Sequence, residues 1–194
     1  MVLGLFLGTQ CSSWSRALRG PPGSSWCSVR SLKHIYGLPN LSDSARRRVQ
    51  IGNIQVRHTA AIINACRKIG VPCMLENPRT SMLWHAPCIS RLLHPDSCML
   101  HQFDQCQYGT RWKKATTIAA WGCGHCAVLN CSCKGKGGIG STTKKPHIVL
   151  PGYSKAHKRP WTSVAQEYPP RLASRISDVL IVSSRLGMTK VVGL

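Results

Sequence analysis

Acid is what this sequence lacks most. Six Asp and Glu residues stand against 26 Lys and Arg, a formal net charge of +20. A chain so short of carboxylates cannot balance its own cations and needs a polyanion or a dense counterion cloud to stay compact. Nucleic acid is the first partner class this fits, and an anionic membrane surface the second. Long apolar runs are also missing, and none approaches the roughly 20 residues that span a bilayer. The opening residues 1–8 hold only a short apolar run with no cation before it, which excludes the pattern of a secretory signal. The eleven cysteines are odd in number and scattered, unlike a secreted disulfide framework. These absences predict an intracellular, reducing setting, nuclear in a eukaryote.

What is present is enough for one core: 194 residues, 43% hydrophobic. Val2–Leu7 reads as a strand leading into the loop Gly8–Cys11. Residues 12–40 are rich in Ser, Gly, Pro and Arg and are expected to be mobile. Ser42 and Asp43 open a helix, with Val49, Val56, Ala60 and Ile63 on one face and Ala45 close by. Gly52-Asn53 is expected to weaken its middle, and Arg67-Lys68, Gly70 and Pro72 to stop it. A strand follows over 71–77, then a short helix over 87–94 with Pro87 at its start. Further strands are expected over 98–104, 115–121 and 147–150, with a second mobile loop over 122–146. Ser163 and Gln166 fit a capping box. A last helix starts at Pro170 and ends at Gly187. The order predicts an α/β fold with a mostly parallel, doubly wound sheet that is incomplete at its front. One domain over 1–187 and a tail over 188–194 complete the organisation.

Three segments carry chemistry. Cys11 lies in the loop after the first strand, and its neighbours Arg16 and Arg19 are expected to lower its thiol pKa. A thiolate is the side chain best suited to nucleophilic attack near neutrality; the plainer reading is a free cysteine in a Ser-rich loop. Glu76-Asn77-Pro78 ends an apolar strand, and an acid there is costly without a partner. A buried carboxylic acid there can donate a proton to a ring nitrogen; a salt-bridge role is the alternative. Gln107–Lys114 is a cationic loop containing Trp112, suited to gripping phosphate and stacking on bases.

Taken in order, Thr9-Gln-Cys-Ser-Ser-Trp-Ser15, Leu75-Glu-Asn-Pro78 and Gln107-Tyr-Gly-Thr-Arg111 resemble the cytosine carbon-5 DNA methyltransferases. The likeness is closer to a divergent branch with Glu-Asn-Pro followed by Ser-x-Leu-Trp, matched by Ser81-Met-Leu-Trp84. Tyr108-Gly-Thr-Arg-Trp-Lys-Lys-Ala-Thr116 resembles that branch's Tyr-Gly-x-x-x-Lys-x-Thr with one residue of slack. The resemblance implies that Cys11 attacks carbon 6 of a flipped-out cytosine and that Glu76 binds the ring nitrogen and exocyclic amine. It implies Asn77, Pro78, Arg111, Lys113 and Lys114 as substrate-binding residues on DNA, and S-adenosylmethionine as methyl donor. The sequence departs from the family at Gln10, where a proline is usual, and in keeping a single arginine in the third segment. The family's cofactor-binding region precedes the cysteine strand, and here only ten residues precede Cys11 itself. The chain therefore reads as a truncated catalytic half whose cofactor site is completed by a missing half or a separate chain.

The alternative is a non-catalytic basic nucleic-acid-binding module. A third reading places zinc among Cys123, Cys126, Cys131 and Cys133, with His125 and His147; no metal is assigned to the catalytic site. Lys134–Thr143 imitates a phosphate-cradling loop, but Gly140 stands where that loop needs its lysine. A flexible basic loop is expected instead.

Overall fold

Four strands form the sheet that carries the fold, in the order β1-β2-β4-β3. The structure, a computed structural model, describes residues 3–16, 27–124, 126–150 and 152–191. Strand β1 (Leu5–Gly8) runs parallel to β2 (Cys73–Pro78), with Gly8 opposite Glu76. Strand β4 (Ala115–Trp121) lies antiparallel between β2 and β3 (Met99–Asp104).

The expected mostly parallel sheet is corrected to a mixed one, with one parallel pairing and two antiparallel. The connections give the reason. A parallel neighbour needs a long crossover, which the helix between β1 and β2 supplies. Only residues 105–114 separate β3 from β4, so β4 turns back along β3.

Helix α1 (Asp43–Lys68) is capped as its sequence requires: the Ala45 N–H donates to Ser42 Oγ at 3.4 Å. Arg67 and Lys68 sit in its last turn, where cations complement the helix dipole. Its buried stripe includes Val49, Val56, Ala60 and Ile63, the face expected. Val56, Ala60 and Ile63 of that stripe pack on one side of the sheet with Cys73, Leu75, Ala119 and Trp121, while Val49 and Ala45 pack with Val29. Helix α4 (Pro170–Val191) covers the other side, setting Leu172, Ile176, Val179 and Leu180 on Met74, Phe103, Ile118 and Ala120. The fold is thus a helix–sheet–helix stack. No helix among the described residues is long and apolar enough to cross a membrane.

Other expectations are adjusted. Helix α1 runs unbroken through Gly52 and Asn53. Helix α2 is regular only over Pro87–Ser90, with single turns beyond it. Residues 147–150 form no strand; His147 and Ile148 instead donate to the carbonyls of Gly138 and Arg111. A minor hairpin joins β5 (Tyr153–Ser154) to β6 (Arg159–Pro160). Helix α3 (Trp161–Val164) follows at once and has no side-chain cap, so the Ser163–Gln166 box does not form. Gly187 does not end α4, which continues to Val191. Arg19 and His125 lie outside the described residues.

Candidate functional site

The C-terminal ends of β1 and β2 meet at one rim of the sheet. Their parallel register sets Gly8 beside Glu76, and the chain leaving Gly8 carries Cys11 three residues on. Asn77 ties the two ends together, its Nδ2 donating to the Thr9 carbonyl at 2.7 Å. Thr9 is fixed from α1 as well, with 2.7 Å between its hydroxyl and that of Thr59.

Glu76 is 5% exposed. Its Oε2 accepts a hydrogen bond from the Tyr168 hydroxyl at 2.7 Å, while Oε1 is buried without a hydrogen-bond partner. Burial pushes its pKa up, and Lys114 and the Tyr168 hydroxyl pull it back. Tyr168 is itself raised by burial and then by Glu76 and Cys11. Its ring packs edge-on against Phe6 at 5.2 Å. Nothing in the sequence beyond an aromatic ahead of two prolines marks Tyr168.

Cys11 is half-buried, and burial raises its thiol pKa; Lys114 lowers it and Glu76 raises it again. Arg16, expected to lower the thiol pKa, is not among the groups that shift it, and Arg19 lies outside the described residues; desolvation outweighs the cation that does act, Lys114. Lys114 acts on both Cys11 and Glu76 while its Nζ donates to the Ala165 carbonyl at 3.0 Å.

The other sequence candidates have different surroundings. Asn77 braces the rim, and Pro78 offers its carbonyl to Trp84 Nε1 at 2.9 Å. Lys113 lies 3.9 Å from the buried carboxylate of Asp104, which also faces Arg79 at 3.8 Å. Arg111 is exposed, and its carbonyl accepts from the Ile148 N–H at 2.7 Å.

The cysteine loop is held by a residue the sequence did not reveal. Arg30 is buried, and its guanidinium donates to the carbonyls of Ser13, Ile35 and Val49 and to the side chains of Ser13 and Asn53. It also stacks 3.5 Å over the Trp14 ring. Burial lowers its pKa to about 10. A buried cation with five oxygen partners fixes Ser13 and Trp14, two and three residues from Cys11. Gly52 makes this docking feasible. A Cβ there would stand 2.3 Å from Ser13 Oγ and 2.9 Å from Arg30 Nη2.

Two clefts border the loop. One, of about 450 Å³, is lined by Ser13, Arg16, Arg30 and Lys33; the other, of about 560 Å³, by Gln10, Ser12, Arg47 and Arg48. Both present cations beside residues that flank Cys11.

Among the described residues, the zinc set of the third reading is not assembled. Cys123 and Cys126 pack in the core under α4 with Met74 and Leu129. Cys131 bridges to Phe103. Cys133 lies 3.7 Å from His147. All eleven cysteines are free thiols. Compared with known proteins, the chain matches no family model, no curated protein and no solved structure.

Proposed function

We propose that this chain grips a nucleic-acid strand through its cations and holds a cytosine between Cys11 and Glu76. The observation that carries the reading is the rim itself. A nucleophile and a buried acid stand at the ends of two adjacent parallel strands, both under the influence of Lys114. Open α/β sheets take their ligands at this end of their strands.

The roles follow from the groups. Burial raises the Glu76 pKa and so favours its protonated form. Glu76 can give that proton to ring nitrogen 3 of cytosine. Cys11 loses its proton to solvent, and its sulfur bonds to carbon 6. The carbon 5–carbon 6 π pair then moves toward carbon 4 and nitrogen 3, where the proton from Glu76 completes the balance. Lys114 favours the charged form of each partner. Arg16, Lys33 and Arg47 line clefts beside the loop, where phosphates of a strand presenting an unstacked base would lie.

S-adenosylmethionine, the donor implied by the resemblance, does not fit the residues described. A doubly wound cofactor site uses a Gly-rich turn after a strand and an acid about 20 residues further on. Strand β4 is followed by Gly122-Cys-Gly124, but that turn enters a four-residue 3-10 helix, Cys126–Leu129. No acid occurs between residues 105 and 166. A methyltransferase-like fold acting on DNA cytosine is the reading the resemblance supports, without a donor site among the described residues.

A second reading, a non-catalytic nucleic-acid-binding module, is favoured by the half-burial of Cys11, which raises its thiol pKa and disfavours attack at neutral pH. One experiment separates the two. An oligonucleotide containing 5-azacytosine retains an attacking thiol, because ring nitrogen 5 takes up a proton after addition. Wild type should form a denaturant-resistant adduct, Cys11→Ser none, and Glu76→Gln much less. Undiminished binding with no adduct would leave the binding module.

A further inference from the structure

We propose that Cys106, Cys133 and His147 form a binding site for a thiophilic divalent cation, with zinc as the ion their donor set suits best. The site is independent of the Cys11–Glu76 rim and differs from the cysteine set expected from the sequence.

One ligand atom from each of the three residues lies within 4.8 Å of the others, and among the described residues this is the group of His, Cys, Asp and Glu able to share an ion. Cys133 Sγ and His147 Nε2 are 3.7 Å apart. A tetrahedral zinc with its usual bond lengths separates sulfur and nitrogen ligands by about 3.6 Å. Two thiolates and one imidazole are a zinc donor set, and they leave one tetrahedral position for water or an incoming donor.

The fold builds toward this point from three directions. Cys106 is fully buried in the 3-10 turn Gln105–Tyr108, directly after β3. Cys133 is held by its own N–H, which donates to Asp104 Oδ2 at 2.8 Å. His147 closes the glycine-rich segment: its N–H donates to the Gly138 carbonyl at 2.8 Å, and Gly140 N–H to the Lys145 carbonyl at 2.9 Å. The segment expected to be a flexible basic loop is thus a hydrogen-bonded hairpin that carries His147 back to Cys133. Gly140 is needed there, because a Cβ would stand 2.5 Å from Thr143 Oγ1 and 3.2 Å from His147 Nε2.

The surroundings suit thiolates. The Ser141 N–H and hydroxyl point at Cys133 Sγ from 3.4 and 3.6 Å, and Gln107 Nε2 points at Cys106 Sγ from 3.6 Å. Hydrogen-bond donors of this kind orient and stabilise metal-bound sulfur. Binding would release the remaining thiol protons to solvent, with no change of oxidation state. The ion would clasp the 133–147 hairpin to the turn that leads into Arg111, Lys113 and Lys114. Four exposed lysines, 134, 136, 144 and 145, ride on that hairpin.

The test uses the full chain, freshly reduced and stripped of metal. Zinc titration against a chromogenic chelator should show one ion bound per chain. Cobalt should give the intense thiolate charge-transfer and visible bands of a tetrahedral site. Cys133→Ser and His147→Ala should each weaken binding roughly tenfold or more, since even partners behind the ligands have effects of that size. Cys131→Ser should bind as wild type does. The proposal is overturned if the reduced wild-type chain takes up no stoichiometric zinc or cobalt. It is equally overturned if Cys133→Ser and His147→Ala bind unchanged, or if Cys106 and Cys133 form a disulfide in reducing buffer and exclude the ion.

Discussion

Tyr168 donates its hydroxyl hydrogen to Glu76 Oε2 at 2.7 Å, across 92 residues of sequence, and leaves Oε1 buried without a hydrogen-bond partner. This one bond joins the cover on one side of the sheet to the acid at its rim. Tyr168→Phe keeps the ring on Phe6 and removes only the donor. A buried carboxyl left with no partner costs about 1–3 kcal/mol. Chemical denaturation should show a loss of that size, and titration of Glu76 should move further upward.

The buried position of Glu76 makes stability depend on pH in a defined direction. Its folded pKa lies above the ordinary carboxylate value, chiefly through burial. Between those two values the folded chain holds a proton that the unfolded chain has released, so stability falls as pH rises through that window. Glu76→Gln removes this contribution. Melting temperature against pH should have a flatter slope in the variant, which should gain on wild type toward higher pH.

Gly52→Ala sets two effects against each other. In an exposed helix interior the change stabilises by about 0.5–1 kcal/mol. Here the new methyl would press on Ser13 Oγ, Arg30 Nη2 and Trp14 Nε1 at 2.3, 2.9 and 3.1 Å. Overpacking of this kind costs about 1–3 kcal/mol and should win. The variant should unfold at lower denaturant and form less adduct with 5-azacytosine, because the loop holding Cys11 loses its seat.

Affinity for nucleic acid should fall linearly on a log–log plot against salt. Arg111→Ala and Lys113→Ala should each reduce the slope by about 1 if each releases one phosphate contact. The pairing of Lys113 with Asp104 at 3.9 Å is half-exposed on the lysine side and too weak to hold it back. Unchanged slopes in both variants would remove the Gln107–Lys114 segment from the interface.

Local signals were legible where one element decides the outcome. Ser42 and Asp43 mark the start of α1, its 3–4 spacing marks the buried face, and β4 spans the residues its sequence suggests. Sheet direction was not legible, because it depends on which strand enters between which others. The site was legible in part. Cys11 and Glu76 stand out by residue type and by their place at strand ends. Tyr168, Arg30 and Cys106 acquire meaning only through partners distant in sequence, and no spacing rule reaches them. The cysteine pairs misled for a related reason: Cys123 and Cys126 are close in sequence, yet both face the core beneath α4.

The most direct measurement is peptide mapping by mass spectrometry after incubation with a 5-azacytosine oligonucleotide. A nucleotide-bearing peptide containing Cys11 is expected, absent from Cys11→Ser and scarce in Glu76→Gln. Attachment at any other of the eleven cysteines, or an unmodified Cys11 in protein that binds the strand, would contradict the proposed role of Cys11.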